Sequence, residues 1–226
     1  GLLVLGLAIA PAPQAASASE CGTEEPITVA QMTWPSAEVL AHIAKIVLVQ
    51  GYGCEVKLSP GNTIPTARTI LSRGTPHIVP EFWISLVDDE DREALEKVVA
   101  FGADIYRDGA EQGLWVPDYF YNAHPDIRTI ADLKPNANDF VSPDAAGKGQ
   151  LYSCPPGWGC AIVNANMFRA LELDTAFDLV LPGSVSNLSS ILARKTKRQE
   201  PFVVYKWSPT VDVASFKLVK LDAPPY

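Results

Sequence analysis

Two stretches of this sequence match each other at an offset of about 124 residues. Trp34 falls on Trp158, and Trp83 falls on Trp207. In each half, the first tryptophan precedes a helical stretch and a short apolar segment, and a second apolar segment leads into the second tryptophan. Because the chain has only five tryptophans, two matches at one spacing favour an internal repeat over a chance likeness between helix–strand units.

The repeat predicts the same elements in both halves of the chain, and plain periodicity predicts the elements between them. Within the halves we expect helices over 36–50 and 161–171, and strands over 55–58, 78–79, 178–181 and 203–204. Between them we expect a strand over 113–117 and helices over 88–99 and 127–134.

Units of this kind predict an α/β fold with two lobes. Open parallel sheets bind ligands at the carboxyl ends of their strands, where the loops converge. Two lobes that face each other would therefore bring their tryptophan-bearing loops together over a cleft. We expect the first lobe over 19–105, the second over 106–207, and a crossover back toward the first lobe over 208–226.

The charge balance excludes several classes of partner. The chain has 226 residues and a formal net charge of -8, whereas nucleic acids and anionic membrane surfaces require cationic patches. Its one basic run, residues 194–198, is typical of a solvated helix end. We therefore expect no nucleic-acid partner and no membrane-surface role.

The first residues are typical of an export signal rather than of a folded domain. Residues 2–10 form an apolar run, and Ala16-Ser17-Ala18 after it has the small residues of a cleavage site. The run is too short to span a bilayer as a stable helix. We expect residues 1–18 to be the remnant of a signal peptide that is cleaved near Ala18, which leaves an exported protein.

Export changes how the four cysteines are interpreted, because disulfides form and persist in oxidising compartments. Four cysteines allow three pairings, and we predict Cys21–Cys54 and Cys154–Cys160. A metal site is the alternative, but the sequence lacks C-x-x-C spacing and its three histidines are scattered. We therefore expect neither a metal nor a cofactor.

Four of the tryptophans, Trp34, Trp83, Trp158 and Trp207, point to a ligand with a quaternary ammonium group. A trimethylated nitrogen has no N–H donor, so the negative faces of aromatic rings are its best protein partner. Each ring contributes about 0.5–2 kcal/mol when it is desolvated, and micromolar binding needs about 8 kcal/mol. The fifth, Trp115, is followed by Val-Pro and is typical of core packing, so we expect it to pack in the core or behind the other rings.

The segment Cys154-Pro155-Pro156-Gly157-Trp158-Gly159-Cys160 predicts a tight turn at a helix start. Such a turn would present Trp158 outward, while backbone N–H groups at the helix start point into the same space and favour an anion. An aromatic cage beside an anion cradle suits a zwitterion such as glycine betaine.

These residues resemble the glycine betaine/proline-betaine substrate-binding proteins of ABC importers, including their trimethylamine N-oxide-binding relatives. The likeness covers roughly Cys21 to the C-terminus and is most specific in the segment 154–160. It extends to Gly51-Tyr52-Gly53-Cys54 and to Ile130-Ala131-Asp132-Leu133-Lys134. The resemblance implies a two-lobed fold of the periplasmic-binding-protein type (type II), with the ligand cleft between the lobes.

The resemblance also implies roles for individual residues. A disulfide closes the loop 154–160, and backbone N–H groups of Gly159 and Cys160 hold the anionic end of the solute. Apart from the resemblance, the position of Glu81 beside Trp83 in the sequence leaves two alternatives, that it tunes the cage electrostatically or that it faces solvent. The implied cage walls are Trp83, Trp158, Trp207 and, as in part of the family, Trp34.

For the whole protein, the resemblance implies a monomeric, non-catalytic component of an importer in the periplasm. It would hand a small osmolyte to an ABC permease and its ATPase at the inner membrane. Family members continue for a substantial stretch after the Trp207 segment. We therefore expect this sequence to be part of a longer chain whose C-terminal part completes the first lobe.

Other functions stay open from the sequence alone. Trimethylamine N-oxide could use the same donors and rings, and choline could use the rings, although it has no anionic end for Gly159 and Cys160. An exported hydrolase is least favoured, because no Gly-x-Ser-x-Gly elbow surrounds a serine. The sequence also assembles no nucleophile, base and orienting group.

Overall fold

A computed structural model describes residues 21–106, 109–142 and 147–223 of the chain. The predicted signal-peptide residues 1–18 lie outside this description. The strands are β1 (Ile27–Met32), β2 (Val56–Gly61), β3 (Glu111–Pro117), β4 (Gly149–Tyr152), β5 (Phe177–Val180), β6 (Val203–Ser208) and β7 (Leu218–Lys220). The α-helices are α1 (Pro35–Ile46), α2 (Thr63–Arg73), α3 (Asp89–Glu96), α4 (Asp118–Ala123), α5 (Gly159–Ala170), α6 (Val185–Lys197) and α7 (Val211–Ser215).

The strands form two sheets. In the first, β1 and β2 are parallel, and Ile78 adds a single parallel bridge to Val29 on the other side of β1. The second sheet has the order β5-β4-β6-β3-β7. In it, β4 is parallel to β5 and β6, whereas β3 is antiparallel to β6 and β7.

The prediction of a strand over 78–79 was wrong in extent, because only a single bridge forms there, at Ile78. Ala30 donates its N–H to Ile78 O at 2.8 Å, and Ile78 donates its N–H to Thr28 O at 3.1 Å. Pro80, two residues further on, lacks the N–H that a longer ladder needs. Apolar residues that suit a strand therefore make one bridge instead.

The two halves have the same topology, which confirms the internal repeat. The first half runs β1, α1, β2, α2 and then Ile78, and the second runs β4, α5, β5, α6 and then β6. In both sheets the first strand lies between the second strand and the last segment. Trp34 and Trp158 are the N-cap residues of the two corresponding helices, α1 and α5. One strand–helix unit is thus used twice.

The predicted helices of the repeat are present with shifted ends. α1 stops at Ile46 and continues as a π-helical turn over Val47–Gly51, so the helical stretch extends one residue beyond each end of the predicted span 36–50. α5 begins at Gly159, earlier than predicted. Its start coincides with the end of the disulfide-closed loop, so the loop and the helix form one local unit.

Two shorter helices between the repeats are set by their N-terminal caps. Asp88 caps α3 with its side chain, so the acidic cluster at this helix start is a capping feature. The helix predicted over 127–134 shortens to a 3-10 helix, Ile130–Leu133. A capping box between Thr129 and Asp132 fixes where it begins.

The two sheets form the centres of the two predicted lobes. The first sheet uses strands within 27–61, and the second uses strands within 111–220. Part of the segment 208–226 forms α7 and then β7 at the edge of the second sheet, beside β3. The lobe boundaries, and the crossover back toward the first lobe, stay predictions.

The largest hydrophobic core joins the two lobes. It contains side chains of both sheets, such as Met32 and Leu151. A second cluster fills the space between the second sheet and α6, and it includes Leu188, Leu192 and Val204. The lobes therefore share their main core. The opposite face of the second sheet packs against α6 in a separate cluster.

Leu192→Ala should destabilise the fold by about 2–5 kcal/mol, because the substitution leaves a cavity beneath α6. Leu192 is 0% exposed, whereas Leu181, the site of a matched Leu→Ala control, is 48% exposed. For the control we expect a loss of about 0.5 kcal/mol or less. Chemical denaturation measures both values, and equal losses would contradict this packing.

Candidate functional site

The ends of several parallel strands converge between the lobes. β1 ends two residues before Trp34, β2 ends just before Asn62 and Thr63, and β6 carries Trp207 near its end. The loop 153–158 leads from β4 to α5. The carboxyl ends of parallel strands are where open α/β sheets place ligand sites. The structure thus brings the predicted loops together at one place.

Four tryptophans form a cluster there, two from each lobe. The ring centroids of Trp34 and Trp158 are 5.1 Å apart, and those of Trp158 and Trp207 are 5.4 Å apart. The rings of Trp83 and Trp207 are 6.5 Å apart. The planes of these pairs meet at 65°, 68° and 74°, so the rings pack edge-to-face. The cavity that the cluster lines is nearly closed, with a volume of about 10 Å³, roughly the space of one water molecule.

A buried carboxylate connects the two tryptophans of the first lobe. Glu81 is only 2% exposed, so it does not face solvent. Its Oε1 accepts hydrogen bonds from Trp34 Nε1 at 2.7 Å and from Trp83 Nε1 at 2.9 Å. Its Oε2 is buried without a hydrogen-bond partner in the described part of the chain. Glu81 therefore orients two rings of the cluster, one on each side of it in the sequence.

Both predicted disulfides are present. The Cα atoms of Cys21 and Cys54 are 5.0 Å apart, and this bond ties the segment before β1 to the approach to β2. The Cα atoms of Cys154 and Cys160 are 6.3 Å apart, and this bond closes the loop before α5. The second disulfide thereby limits how far the ring carried by that loop can move.

The disulfide-closed loop and the start of α5 lie at the cavity. Gly157 has a φ of +87°, a left-handed conformation that glycine adopts without strain, and Trp158 follows it. Gly159 and Cys160 are the first two residues of α5, and the first N–H groups of a helix have no acceptor within it. Cys160 lines the cavity, so the helix start can present a donor there.

Gly159 allows the two lobes to approach closely. A Cβ at this position would lie 2.4 Å from Leu86 O and 2.6 Å from Leu86 Cβ. Leu86 belongs to the 3-10 helix Ile84–Leu86 of the first lobe, next to Trp83. Any larger side chain at position 159 would therefore push α5 away from the first lobe.

Trp115 lies outside the cluster. It packs on the other face of the second sheet with Tyr152 and Leu192, and its Nε1 donates to Lys206 O at 2.9 Å. The side chain is not among those that line the cavity. This position agrees with core packing and gives Trp115 no contact with the four clustered rings.

A buried ion pair lies beside Trp207. The Lys206 ammonium group pairs with Asp212, and Ser189 Oγ donates to the same carboxylate at 2.7 Å. Lys206 Nζ lies 5.4 Å from the centroid of the Trp207 ring. Trp207 Nε1 is itself buried, with no acceptor among the described residues. The pair joins β6 to α6 and α7, and so fixes the strand end that carries this ring.

Sequence reasoning missed three further residues that line the cavity, namely Thr63, Leu86 and Tyr205. Burial raises the pKa of Tyr205, whose OH donates to Gln112 Oε1 at 2.6 Å. Tyr205 could have been found, because it stands two residues before Trp207 and alternate residues of a strand face the same side. Thr63 and Leu86 carry no comparable chemical signal in the sequence.

Metal clusters and membrane spans do not occur in the ranges 21–106, 109–142 and 147–223. No three His, Cys, Asp or Glu side chains there lie close enough together to hold a metal ion. No helix in those ranges combines the length and the apolarity that crossing a bilayer requires.

Two α/β units that share one topology and meet at an aromatic cavity define a class, the two-lobed solute-binding proteins. Solved structures have the same fold. A glycine betaine/L-proline-binding protein of Borrelia burgdorferi is similar with a TM-score of 0.70 at 22% identity, over 88% of this chain and 69% of that one. An ABC-transporter choline-binding protein is similar with a TM-score of 0.65 at 17% identity, over 87% of this chain and 65% of that one.

Residues 25–225 match the substrate binding domain of the ABC-type glycine betaine transport system, and the chain belongs to this family. The glycine betaine/proline betaine-binding periplasmic protein of Salmonella typhimurium is 24% identical over 190 residues, which are 83% of this chain and 55% of that protein. The trimethylamine N-oxide-binding protein of Pelagibacter ubique is 25% identical over 231 residues, which cover 99% of this chain and 71% of that protein. The chain thus spans just over half the length of the Salmonella relative.

Gly159→Ala should loosen the contact between α5 and the first lobe and expose Trp158 to water. We expect a red-shifted tryptophan emission, stronger quenching by acrylamide, and a loss of stability of about 1–3 kcal/mol from overpacking. Gly183→Ala is the matched control, because a Cβ there meets nothing within 4 Å. Identical spectra and stabilities for the two variants would contradict the close approach at Leu86.

Proposed function

We propose that this chain captures a small solute with a methylated nitrogen, glycine betaine in the first place, and holds it among Trp34, Trp83, Trp158 and Trp207. The observation that carries the proposal is the cluster itself, in which four rings from two lobes meet around one cavity. Family membership supports it, and the Salmonella relative is named for binding glycine betaine and proline betaine.

The rings supply what a quaternary ammonium group needs. Its charge is spread over methyl groups that donate no N–H, so aromatic faces select it where hydrogen bonds cannot. A desolvated ring contributes up to about 2 kcal/mol, and four rings approach the ~8 kcal/mol of a micromolar Kd. Because the rings contact one another, a ligand enters by separating them and replaces ring–ring contacts with ring–methyl contacts.

Charged and polar groups near the tryptophan cluster suit a zwitterion. The Glu81 carboxylate, with its unpaired Oε2, would attract the cationic end, and the attraction is stronger in a site without water than at a surface. The N–H groups of Gly159 and Cys160, at the start of α5, favour an anionic end. Glycine betaine carries both charges on one small molecule.

Trimethylamine N-oxide is the second candidate. Its body is smaller than that of glycine betaine, and the cluster is tightly closed, with two ring pairs only 5.1 and 5.4 Å apart. The Pelagibacter relative is named for this ligand and matches 99% of this chain. Choline has the cationic end that the rings and Glu81 would bind, but its other end is a neutral hydroxyl that gives the start of α5 no anion.

The proposal extends to export and transport. The protein would act without catalysis, as a monomer in the periplasm, and would deliver its solute to an ABC permease and its ATPase. Support comes from the family, which is defined by ABC-type transport, and from the Salmonella relative, which is named periplasmic. Ligand binding would favour the closed arrangement of the lobes, which the transporter would recognise.

Calorimetric titration of the mature protein with glycine betaine, trimethylamine N-oxide, choline and proline tests the proposal. We expect a micromolar Kd for glycine betaine or for the N-oxide, and weaker binding of proline. Trp158→Leu should raise this Kd at least tenfold, because it removes a ring face from the cation. Trp115→Leu, the same change on the other face of the sheet, should lower stability and leave the Kd unchanged.

Two outcomes would overturn the proposal. One is the absence of heat with every methylated amine in a protein that melts cooperatively. The other is an equal rise in Kd for Trp158→Leu and Trp115→Leu, since a general loss of stability would then explain both variants.

Glu81→Gln should weaken binding about tenfold, because the amide keeps the volume of the side chain but removes its charge. The loss should be larger for choline, which has a net positive charge, than for glycine betaine, which has none. Glu93→Gln is the matched control at an exposed position of α3 and should leave both affinities unchanged. Equal Kd values for Glu81→Gln and the wild type would rule out an electrostatic role for Glu81.

A further inference from the structure

A hydrogen-bond relay crosses from the second lobe to the first at the edge of the tryptophan cluster. Trp158 Nε1 donates to Thr33 Oγ1 at 2.9 Å, and the Thr33 hydroxyl donates in turn to Asn62 Oδ1. Trp158 is buried whereas Thr33 is exposed, so the relay runs from the tryptophan cluster to the protein surface. It ties one ring of the cluster to the segments that follow β1 and β2.

A second relay crosses between the lobes at a different place. Tyr205, which lines the cavity, donates its OH to Gln112 Oε1 at 2.6 Å. Gln112 Nε2 then donates to Ser85 Oγ at 3.2 Å, and Ser85 lies in the 3-10 helix of the first lobe. Both relays therefore begin at a cavity-lining aromatic side chain of the second lobe and end at a polar side chain of the first.

The behaviour of Asn62 indicates that the first relay has a specific role. Asn62 is the N-cap residue of α2, but its side chain makes no capping hydrogen bond. Ser184, its counterpart in the repeat, caps α6 by accepting from Asn187 N at 3.1 Å. A side-chain cap stabilises a helix. Asn62 instead accepts a hydrogen bond from Thr33, and α2 lacks that stabilisation.

The loop of the second lobe is shaped to approach Asn62. A Cβ on Gly157 would lie 3.2 Å from Asn62 Nδ2, which is tighter than an ordinary contact. Glycine at this position therefore serves two purposes, because it also adopts a positive φ. The glycine lets the loop bring Trp158 within reach of Thr33.

We propose that the Trp158–Thr33 bond, with Thr33 held in place by Asn62, and the Gln112–Ser85 bond form a latch that holds the two lobes closed over the bound solute. The inference rests on the proposed function and adds Thr33, Asn62, Gln112 and Ser85 as positioning residues. A ligand that orders the rings of Trp158 and Tyr205 also orders the donors at the start of both relays. Bonds between the lobes exist only while the lobes are together, so the latch sets how long the solute stays bound.

A latch of this kind changes the dissociation rate rather than the association rate. Thr33→Val and Ser85→Ala each remove one hydroxyl and keep the size of the side chain nearly constant. We expect the dissociation rate of glycine betaine to rise about threefold to tenfold in each variant, since a hydrogen bond at a solvent-exposed rim has a modest net strength. Stopped-flow tryptophan fluorescence measures both rates, and the association rate should not change.

Matched controls separate the latch from a general effect of losing a hydroxyl. Thr175 and Ser190 are exposed, and their hydroxyls donate to nearby backbone carbonyls within the second lobe. Thr175→Val and Ser190→Ala should leave the dissociation rate unchanged. Thr33→Ser, which keeps the hydroxyl of the relay, should behave like the wild type.

Asn62→Ser separates the latch from helix stability. Serine can cap α2 but is too short to hold the bond to Thr33, so we expect unchanged or higher thermal stability together with faster dissociation. A merely structural role for Asn62 would move stability and dissociation in the same sense. Faster dissociation with no loss of stability supports the latch.

A double-mutant cycle measures the Trp158–Thr33 bond directly. Trp158→Phe keeps a ring but removes the indole N–H, so adding Thr33→Val to it should have little further effect on the dissociation rate. Additive effects would overturn the relay, as would wild-type dissociation rates in Thr33→Val and Ser85→Ala. Failure of the wild type to bind any methylated amine would instead refute the proposed function, so the two failures are distinguishable.

Discussion

The edge-to-face contact between Trp34 and Trp158, with ring centroids 5.1 Å apart, sets how the two lobes meet. Each ring stands at the N-cap of the first helix of its repeat unit. Each indole N–H is also anchored, that of Trp34 on Glu81 and that of Trp158 on Thr33. Because both rings belong to the largest core, the packing that joins the lobes and the candidate binding site are one structure.

This arrangement was predictable to the extent that it follows from the repeat. The two repeat units place corresponding residues at the ends of corresponding strands. The matching tryptophans in the sequence therefore predicted a cluster between two lobes. The prediction failed where a distant partner decides the outcome. The sequence could not decide whether Glu81 faces solvent or the cage, because Trp34, which donates a hydrogen bond to it, is 47 residues away in the sequence. Asn62 has the sequence context of a helix cap, and nothing local indicates that its side chain bonds to Thr33 instead.

The polar groups of the site indicate what a ligand would complete. Glu81 Oε2 and Trp207 Nε1 are buried, with no hydrogen-bond partner in the described ranges, and a buried unpaired polar group costs about 1–3 kcal/mol. In the proposed function, a cation beside Glu81 and an anionic group near Trp207 or the start of α5 would relieve part of this cost. The same residues that weaken the site without ligand would then favour a zwitterion over an apolar molecule of equal size.

The central claim, that four rings surround the bound solute, is tested most directly by the indole N–H signals of ¹⁵N-labelled protein. The chain has five tryptophans, and one of them, Trp115, lies on the far face of the second sheet. Titration with the methylated amine that binds most tightly should shift the signals of Trp34, Trp83, Trp158 and Trp207 and leave that of Trp115 in place. Unmoved signals of the four clustered rings at saturating ligand would contradict the account.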